Sequence, residues 1–504
     1  MHDVSPQSVD MDSIGGDKRN IIESIKGWFL RLFKTNINNA FKIDTIRSPD
    51  MEREIKLWID IAEGKPPWLD IENDIRTICF SNTMARELAS LITQNIDIKI
   101  ESEYGTGENA VFLQGAIDNS FIKKAQDIIE RMIRYGGVMA KWNGESIDFL
   151  DPDRFIVTDT DSNKDITGAI FFSYYTKGKR YYTKAEWHRF DGETPEKQKI
   201  YRISNKAFVS DNADDIGMET ALSNTKWNDI NPETEIIGLE SPLFVYLKNP
   251  YSNTVDTDSP LGVSCFSECK EELRWLDVAM SSLGTETETS KPMMFVDEGA
   301  IVFAKNNGIK LPKFVKGLQM LKVDSVVSQW QPTLQVQNRI DGINFYLSIL
   351  SYKAGFDPGY FVFNGQSISI ATATQVEATE RRTFNTVMSY RNLIGQPAIN
   401  GDGRTGFAFD IVRIIDTMAV MAGQISAGNY GNYRVYVSAD DITANKEENK
   451  AFDYQLANAG YMAKWRFLVR NLGMTEDEAK EMVLQAQQEQ KEAQKNQGGL
   501  FDEE

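Results

Sequence analysis

The stretch that decides the fold runs from residue 291 to residue 322 and reads KPMMFVDEGAIVFAKNNGIKLPKFVKGLQMLK. Its apolar runs are short and are broken by Asn306-Asn307-Gly308 and by Pro312, a pattern typical of short strands joined by turns. Six lysines against Asp297 and Glu298 give the stretch a charge of +4, whereas the whole chain carries −18. A basic β excursion of this kind favours an acidic partner, or pairing of its strands with those of a neighbouring subunit.

Helical spacing flanks the excursion on both sides. A long helix is predicted from Val263 to near Thr287, and a second from about Thr333 to Lys353, where a turn at residues 355–359 ends it. A polar stretch from Phe363 to Ala371 follows, and then a helix from about Ala373 to Asn392. Two helices around a short β excursion indicate a structural subunit of an assembly rather than an enzyme.

The rest of the chain alternates between helical and strand patterns. Apolar residues from Ile21 to Phe33 recur at helical spacing, which predicts an amphipathic helix that docks on the protein or a neighbour, or that lies on a membrane. Aromatic and β-branched runs between Val138 and Val209 predict a β meander or small sandwich with a turn at Asp191-Gly192. The remaining predictions are helices over 52–62, 71–94, 118–135, 411–423 and 446–490, strands over 96–100 and 243–247, and a polar loop over 210–235.

The composition bounds the class of protein. The 504 residues allow two to four domains at roughly 100–200 residues each, and the 41% hydrophobic content supplies a buried core. A net charge of −18 argues against tight binding of nucleic acid, although DNA can pass along such a chain without being held. No apolar run approaches the ~20 residues that span a bilayer, and the first residues, MHDVS, do not resemble a secretory signal.

The chain has few residues of the types that form the common catalytic sites. His2 and His188 are the only histidines, and the alternating segment around His188 predicts a satisfied strand residue rather than a catalytic base. Cys79, Cys265 and Cys269 have no histidine or second cysteine pair nearby, so they favour small buried side chains over metal ligands. No pair of carboxylates stands in apolar surroundings. The sequence therefore predicts no enzyme, no cofactor and no metal site.

Two loops resemble ligand-binding motifs only in part. Residues 159–165 space oxygen ligands as in a calcium loop, but Lys164 stands where glycine is needed and Ile170 where a bidentate glutamate is needed. This loop is therefore predicted to be a polar hairpin turn. Residues 400–406, NGDGRTG, match neither a P-loop nor a dinucleotide fingerprint and predict a mobile connection. A nucleotide-dependent enzyme using this loop stays an alternative, and hydrolysis lost in Arg404→Ala would support it.

Four stretches together resemble the portal proteins of tailed bacteriophages, especially the type found in phages of Gram-positive hosts. These are residues 55–69 (IKLWIDIAEGKPPWL), residues 251–262 ending in SPLG before a long helix, residues 355–377 with GFDPG, FNG and ATATQVE, and, more weakly, residues 457–479. Residues 395–410 fit the family pattern poorly. The resemblance extends over most of the chain, and the order and spacing of the stretches make it fairly specific.

The resemblance implies an α+β portal fold with wing, stem, clip and crown, which forms a ring, usually twelvefold, at one capsid vertex. DNA is packaged and ejected through the central channel of such a ring without sequence-specific contact. The implied partners are the chain itself, the major capsid protein, the terminase large subunit, a head–tail adaptor protein and double-stranded DNA, with no membrane. The implied location is the virion, and the host cytoplasm during assembly. Another head–tail adaptor or minor head protein remains an alternative.

Carried onto this chain, the resemblance divides it into consecutive regions. These are an N-terminal arm with an amphipathic helix (1–49), wing (50–258), stem helix (259–290), clip (291–330), stem or tunnel helix (331–354), tunnel loop (355–372), wing-spanning helix and connection (373–410), crown helices (411–490) and a flexible tail (491–504). The residues implied to face the channel are Phe363, Asn364, Gln366, Ser367 and Ser369, and those implied to form a clip docking surface are Lys305, Lys310, Lys313 and Lys316.

Overall fold

A computed structural model gives the fold of two separate units of the chain. Unit 1 comprises Met1–Ser367 and Asn385–Asp440, and unit 2 comprises Ile368–Phe384 and Asp441–Glu504. The predicted N-terminal helix and the tail over 491–504 lie outside the described residues. The structure describes residues 37–43, 48–70, 74–104, 107–212, 215–289, 293–310, 315–318, 327–330, 335–363, 381–397, 402–439, 454–455, 457–458, 463–472, 478–486 and 488.

The helices with defined bounds follow the predicted pattern in several places. The predicted helix over 52–62 is confirmed, and it begins where the Ser48 side chain accepts a hydrogen bond from the N–H of Met51. In chain order the helices are α1 (Pro49–Ala62), α2 (Phe80–Thr93), α3 (Glu108–Ser120), α4 (Ala125–Tyr135), α5 (Lys270–Thr289), α6 (Glu298–Asn306), α7 (Val336–Lys353), α8 (Arg381–Ile394), α9 (Phe407–Met421) and α10 (Lys464–Leu472).

The strands form four sheets among the described residues, and the mixture confirms an α+β protein. The sheets have the orders β1-β14, β10-β2-β3, β12-β11-β13 and β4-β5-β6-β7-β8, with β9 also paired to β7. The strands are β1 (Asp97–Glu101), β2 (Gly137–Trp142), β3 (Ile147–Leu150), β4 (Phe155–Thr160), β5 (Ile166–Lys177), β6 (Arg180–Glu193), β7 (Lys199–Ser210), β8 (Met218–Thr220), β9 (Glu233–Ile237), β10 (Phe244–Lys248), β11 (Met293–Asp297), β12 (Val315–Leu318), β13 (Val327–Trp330) and β14 (Arg434–Ser438).

Two of these sheets pack face to face, as a small sandwich was predicted to do. Met139 on β2 and Phe244 on β10 share a core with Phe155 and Phe171 of the larger sheet. Because successive strand residues point to opposite faces, Ala140 on β2 faces away from that core. Phe149, the cross-strand partner of Ala140, packs on Phe121 with 6.0 Å between ring centroids. Helices α4 and α9 pack on this outer face, and α3 packs on α9.

The larger sheet is covered on its other face by residues 37–41, which are helical. Ile37 is fully buried in a cluster that includes Phe172 and Phe208. The ring of Phe41 meets Trp187 edge-on, with 5.5 Å between centroids. Unit 1 therefore contains the layers helix, six-stranded sheet, three-stranded sheet and helices, in that order.

Several boundaries differ from the predictions because tertiary contacts set them. Helix α2 begins at Phe80 rather than near Ile71, since the N–H of Ile78 bonds to Asp277 instead of continuing a helix. Helix α5 begins at Lys270 rather than Val263, because the carbonyl of Val263 accepts a bond from Asn249. Helix α4 begins at Ala125, after a short 3-10 turn, rather than at residue 118.

Other differences concern strands and turns. The predicted turn at Asp191-Gly192 is wrong: β6 continues through it with a register shift, and the chain reverses over residues 194–198. The predicted polar loop over 210–235 contains β8 and the start of β9, both paired to β7. Helix α3 and strand β14 were not predicted. The predicted hairpin turn over 159–165 is confirmed, because the N–H of Asp161 bonds to the carbonyl of Asp165.

In unit 2 the structure describes α10 and short helical pieces around it. The ring of Phe467 on α10 lies 5.8 Å from that of Tyr454. The ammonium of Lys480 lies 5.0 Å from the ring centroid of Trp465, within the range of a cation–π contact. Residues 478–486 are helical, so these parts of the predicted helical region over 446–490 agree with the structure.

Candidate channel and docking surfaces

Helices α5 and α7, the predicted stem and tunnel helices, pack side by side and run antiparallel. The carboxylate of Glu286, near the end of α5, accepts hydrogen bonds from the N–H of Gln335 at 2.9 Å and from Arg339. At the other end of the pair, Lys353 donates to Glu272 at 2.6 Å. The hydrogen bond from the Gln335 N–H lowers the pKa of Glu286, and the guanidinium of Arg339 lowers this pKa further. Charged contacts therefore fix the register of the two helices at both ends.

The base of α5 is tied to the segment that joins α1 to α2. Asp277 accepts hydrogen bonds from Trp68 Nε1 at 2.9 Å and from the N–H of Ile78 at 3.0 Å. Two residues before Ile78, the N–H of Arg76 donates a hydrogen bond to Ser281 Oγ at 3.0 Å. Asp277 is 3% exposed, and this burial raises its pKa although both hydrogen bonds oppose the shift. Trp68 thus links the motif over residues 55–69 directly to α5.

Between α5 and α7, in the region predicted to be the clip, the chain forms a three-stranded sheet and helix α6. Strand β11 pairs in parallel with β12 and antiparallel with β13, so both outer strands are four residues long and have one free side among the described strands. Helix α6 follows β11 directly. The expectation of short strands is confirmed at β11, but the second apolar run, Ile301-Val302-Phe303, lies in helix α6 and not in a strand. The sheet edges β12 and β13 remain available for the predicted pairing with a neighbour.

The predicted docking lysines are only partly described. Lys305, at the end of α6, and Lys310 are exposed. Lys316 lies on β12, opposite Phe295 in the sheet register, and Lys313 lies outside the described residues. The same segment exposes large apolar side chains that the sequence reasoning had not singled out: Val302, Phe303 and Ile309. The clip thus combines cationic and apolar groups on its surface.

The predicted tunnel loop begins at a constrained turn. Gly355 has φ of +88°, and a Cβ there would lie 2.7 Å from Thr386 Oγ1. The rings of Phe356 and Phe361 lie 4.9 Å apart, and Phe361 meets Phe80 of α2. The start of the loop is therefore packed on the body of unit 1.

Phe363 is the one predicted channel residue within the described part of the chain. Its N–H donates to Asn344 Oδ1 at 2.9 Å, and its carbonyl accepts from Asn344 Nδ2 at 3.2 Å, while its ring is 69% exposed. Asn344 lies on α7, so the backbone of Phe363 is fixed to that helix. Asn364, Gln366, Ser367 and Ser369 lie outside the described residues.

The glycine-rich segment predicted to be mobile is instead packed where it is described, over residues 402–406. The carbonyl of Gly403 accepts from the N–H of Val435 at 2.8 Å. The guanidinium of Arg404 lies 2.6 Å from Glu103, which also binds Arg434 at 2.9 Å. These hydrogen bonds, that of Arg404 first, lower the pKa of Glu103. The cation that a phosphate would need is already bound to a carboxylate.

The cysteines are placed as small buried side chains. Cys265 and Cys269 are buried, and burial raises the pKa of Cys269 to about 12. Within the described ranges, no group of three or more His, Cys, Asp or Glu side chains is arranged to hold a metal ion. None of the described helices is long and apolar enough to cross a membrane.

Comparison with solved structures shows a likeness to a phage-like particle component. The chain is similar to a chain described as "Neck of empty GTA particle computed with C6 symmetry", at a TM-score of 0.41 and 11% identity, over 87% of this chain and 98% of that one. No family model and no curated protein matches the sequence.

The structure also shows a buried charged cluster that sequence reasoning missed. Between the two sheets, the carboxylate of Glu186 binds the ammonium groups of Lys141 and Lys184 and receives a 2.7 Å hydrogen bond from His188 Nε2. The other ring nitrogen of His188 lies 2.8 Å from the Tyr201 hydroxyl. Lys184, Glu186 and His188 alternate along β6, which places them on one face, but only the packing of β2 brings Lys141 there.

Burial and charge compete in this cluster. Burial opposes ionisation of Glu186, but Lys141, His188 and Lys184 outweigh it and hold the pKa of Glu186 well below its usual range. Burial lowers the pKa of His188, so the ring is neutral and donates from Nε2. The prediction of a satisfied strand histidine is confirmed. The cluster is enclosed between sheets, which is a structural position rather than a catalytic one.

Proposed function

We propose that the chain is a portal subunit of a tailed phage. Copies of it form a closed ring at one capsid vertex, twelvefold in the family it resembles, and the central channel of that ring carries DNA during packaging and ejection. The clip docks the terminase large subunit and later the head–tail adaptor, and the outer part of the wing meets the major capsid protein. The subunit acts structurally, and the packaging motor is a separate protein.

One observation carries this proposal. Helices α5 and α7 form an antiparallel pair that carries a small basic sheet between them and returns directly into the turn at Gly355. A helix of 20 residues is about 30 Å long, so the pair separates the clip sheet from the sandwich by a fixed spacer. This order of stem, clip, return helix and tunnel loop is what the resemblance implies.

The charge balance supports the same function. The net charge of −18 repels the phosphates of DNA, so a channel built from such chains would let a duplex slide without tight contact. The basic and apolar surface of the clip, with Lys305, Lys310 and Phe303, fits a docking site for an acidic partner better than a grip on DNA.

Imaging the purified full-length chain by negative-stain electron microscopy tests the proposal. We expect closed rings viewed down their axis, with a central hole wide enough for duplex DNA. A chain that stays monomeric at every salt concentration would overturn the proposal. Rings without a hole of that width would instead indicate an adaptor or minor head protein.

A further inference from the structure

A groove on the surface of unit 1 lies on the helical outer layer described above. Helices α3 and α9 and the hairpin between β2 and β3 enclose a volume of about 500 Å³. Phe112, Trp142, Ile415, Met418 and Ala419 are among its lining residues. A concave apolar surface between helices is the kind that receives an amphipathic helix.

The groove leaves large apolar side chains open to solvent. Phe112 on α3 lines the groove and is 40% exposed, and Met421 at the end of α9 is 51% exposed. An occupant with apolar side chains would cover them.

We infer that the groove receives residues 19–34 of a neighbouring copy of this chain, an inference that rests on the proposed ring. This segment, RNIIESIKGWFLRLFK, carries seven of its large apolar residues at helical spacing, from Ile21 to Phe33. Its four cations and one anion give it a charge of +3, while the whole chain carries −18. The segment thus has an apolar stripe that matches the apolar lining of the groove, and a charge opposite in sign to that of the whole chain.

The layer order explains why the donor is a neighbour and not the same chain. Ile37, four residues after Phe33, is buried on the outer face of the larger sheet, whereas the groove lies on the opposite outer layer. Four residues reach at most about 14 Å, and a 16-residue helix is about 24 Å long. Two sheet layers and a helix layer, each about 10 Å thick, separate the two faces.

A ring brings these two faces together. Its interfaces are heterologous, so one face of each subunit meets a different face of the next around a closed circle. A basic arm leaving the outer face of one larger sheet can then meet the α3–α9 groove of the next subunit. Each copy would lend its arm to one neighbour and receive an arm from the other.

Cysteine cross-linking of full-length chains tests this inference. One variant carries Trp28→Cys and another Met418→Cys, both with Cys79→Ser, since Cys265 and Cys269 are buried. We expect disulfide-linked dimers in the ring fraction of the mixed sample after oxidation. Replacing Met418→Cys by Lys179→Cys, on the exposed β5–β6 hairpin, serves as the matched control and should give none.

Other outcomes separate this inference from the proposed function. A Trp28→Cys, Tyr174→Cys chain that cross-links to itself would show the arm on its own sheet and overturn the inference. Rings that form without a cross-link between positions 28 and 418 would also overturn the inference, but they would leave the portal proposal intact. Binding of the full-length chain to anionic vesicles through the arm would have the same consequence. A chain that never forms rings would overturn both.

A second variant tests the groove without oxidation. Met418→Asp should raise the protein concentration for half-maximal ring assembly by about tenfold, because a carboxylate enters an apolar anchor site. Circular dichroism should show an unchanged fold, and Val111→Asp on the exposed part of α3 provides the comparison. Equal assembly of Met418→Asp and the unmodified chain would overturn the inference.

Discussion

Trp68 donates a 2.9 Å hydrogen bond from its indole Nε1 to the carboxylate of Asp277, and so links the segment after α1 to the stem helix α5. The second carboxylate oxygen of Asp277 accepts from the N–H of Ile78. A single buried side chain therefore connects both ends of the segment between α1 and α2 to the stem. Any movement of α5 relative to the segment between α1 and α2 must first break these two bonds.

Replacing Asp277→Ala should lower the free energy of unfolding, because two partly buried donors lose their acceptor at about 1 kcal/mol each. Asp277→Asn keeps one acceptor and should cost less. Urea denaturation followed by circular dichroism measures both. Glu271→Ala, at an exposed position of the same helix, is the control and should stay within about 0.5 kcal/mol of the unmodified chain. Equal midpoints for Asp277→Ala and Glu271→Ala would show that the link does not stabilise the fold.

The cluster around Glu186 should make stability depend on pH. Burial lowers the pKa of His188 in the folded chain below its usual value of 6.5, so unfolding takes up a proton as the pH falls below that value. Stability should therefore decrease from pH 7.5 to pH 5.5. Glu186 contributes little in this range because its pKa is held below its ordinary value of 4.5 in the folded chain, so its contribution is lost only as the pH falls below 4.5.

His188→Gln separates this effect from the rest of the cluster, which includes Lys141, Lys184 and Tyr201. The glutamine cannot titrate, so the loss of stability between pH 7.5 and pH 5.5 should be smaller than in the unmodified chain. Urea denaturation at the two pH values provides the measurement. An identical pH dependence in both proteins would assign it to other groups.

The turn at Gly355 should tolerate no side chain. Gly355→Ala places a Cβ 2.7 Å from Thr386 Oγ1 and 2.8 Å from its Cγ2, at a φ of +88° that L residues rarely adopt. We expect a loss of at least about 1–2 kcal/mol in the free energy of unfolding from the backbone conformation alone. Gly359→Ala, where a Cβ would contact nothing within 4 Å, is the matched control. A lower melting temperature for Gly359→Ala than for Gly355→Ala would contradict this reading of the turn.

The clip lysines should act in docking and not in ring assembly. Lys305→Glu with Lys310→Glu reverses two exposed charges, so binding of an acidic docking partner to purified rings should weaken and lose its salt dependence. Surface plasmon resonance at two salt concentrations measures this. Lys179→Glu, an exposed lysine outside the clip, should leave binding unchanged. If the double variant fails to form rings, the lysines belong to the contact between subunits.

Deleting residues 363–369 should leave rings intact and stop DNA packaging. The bonds between Phe363 and Asn344 would be lost, but the packing of Phe356 and Phe361 that holds the start of the loop would remain. Electron microscopy of the rings and a packaging assay with the motor protein measure the two effects. Loss of the rings would identify the segment as an assembly element instead.

Local sequence was sufficient wherever a segment supplies its own signals. The amphipathic stripe over residues 52–62 predicted α1, and the spacing from residue 333 to Lys353 predicted α7. The apolar run over residues 293–296 predicted β11, whereas the run Ile301-Val302-Phe303 was expected to be a strand and forms helix α6. Each of α1, α7 and β11 is specified by residues that are close together in the chain, so its hydrophobic periodicity can be read from the sequence alone.

Contacts between residues far apart in the chain could not be predicted from local sequence patterns. Strand β14 pairs with β1 across more than 330 residues, and neither strand shows which partner it will find. Asp277 stops a predicted helix at Ile78 from 199 residues away. The charged cluster forms only when β2 brings Lys141 over β6.

The sequence by itself determined helices α1 and α7, the basic segment between two helices and the satisfied role of His188, because these follow from side-chain chemistry and local spacing. Only the tertiary structure decided where α2 and α5 begin, which carboxylate neutralises Arg404, and that the face holding Ile37 and the α3–α9 groove lie on opposite layers. The physical reason is that buried polar groups must be hydrogen-bonded wherever the fold places them. The distances between residues far apart in the chain cannot be read from the sequence.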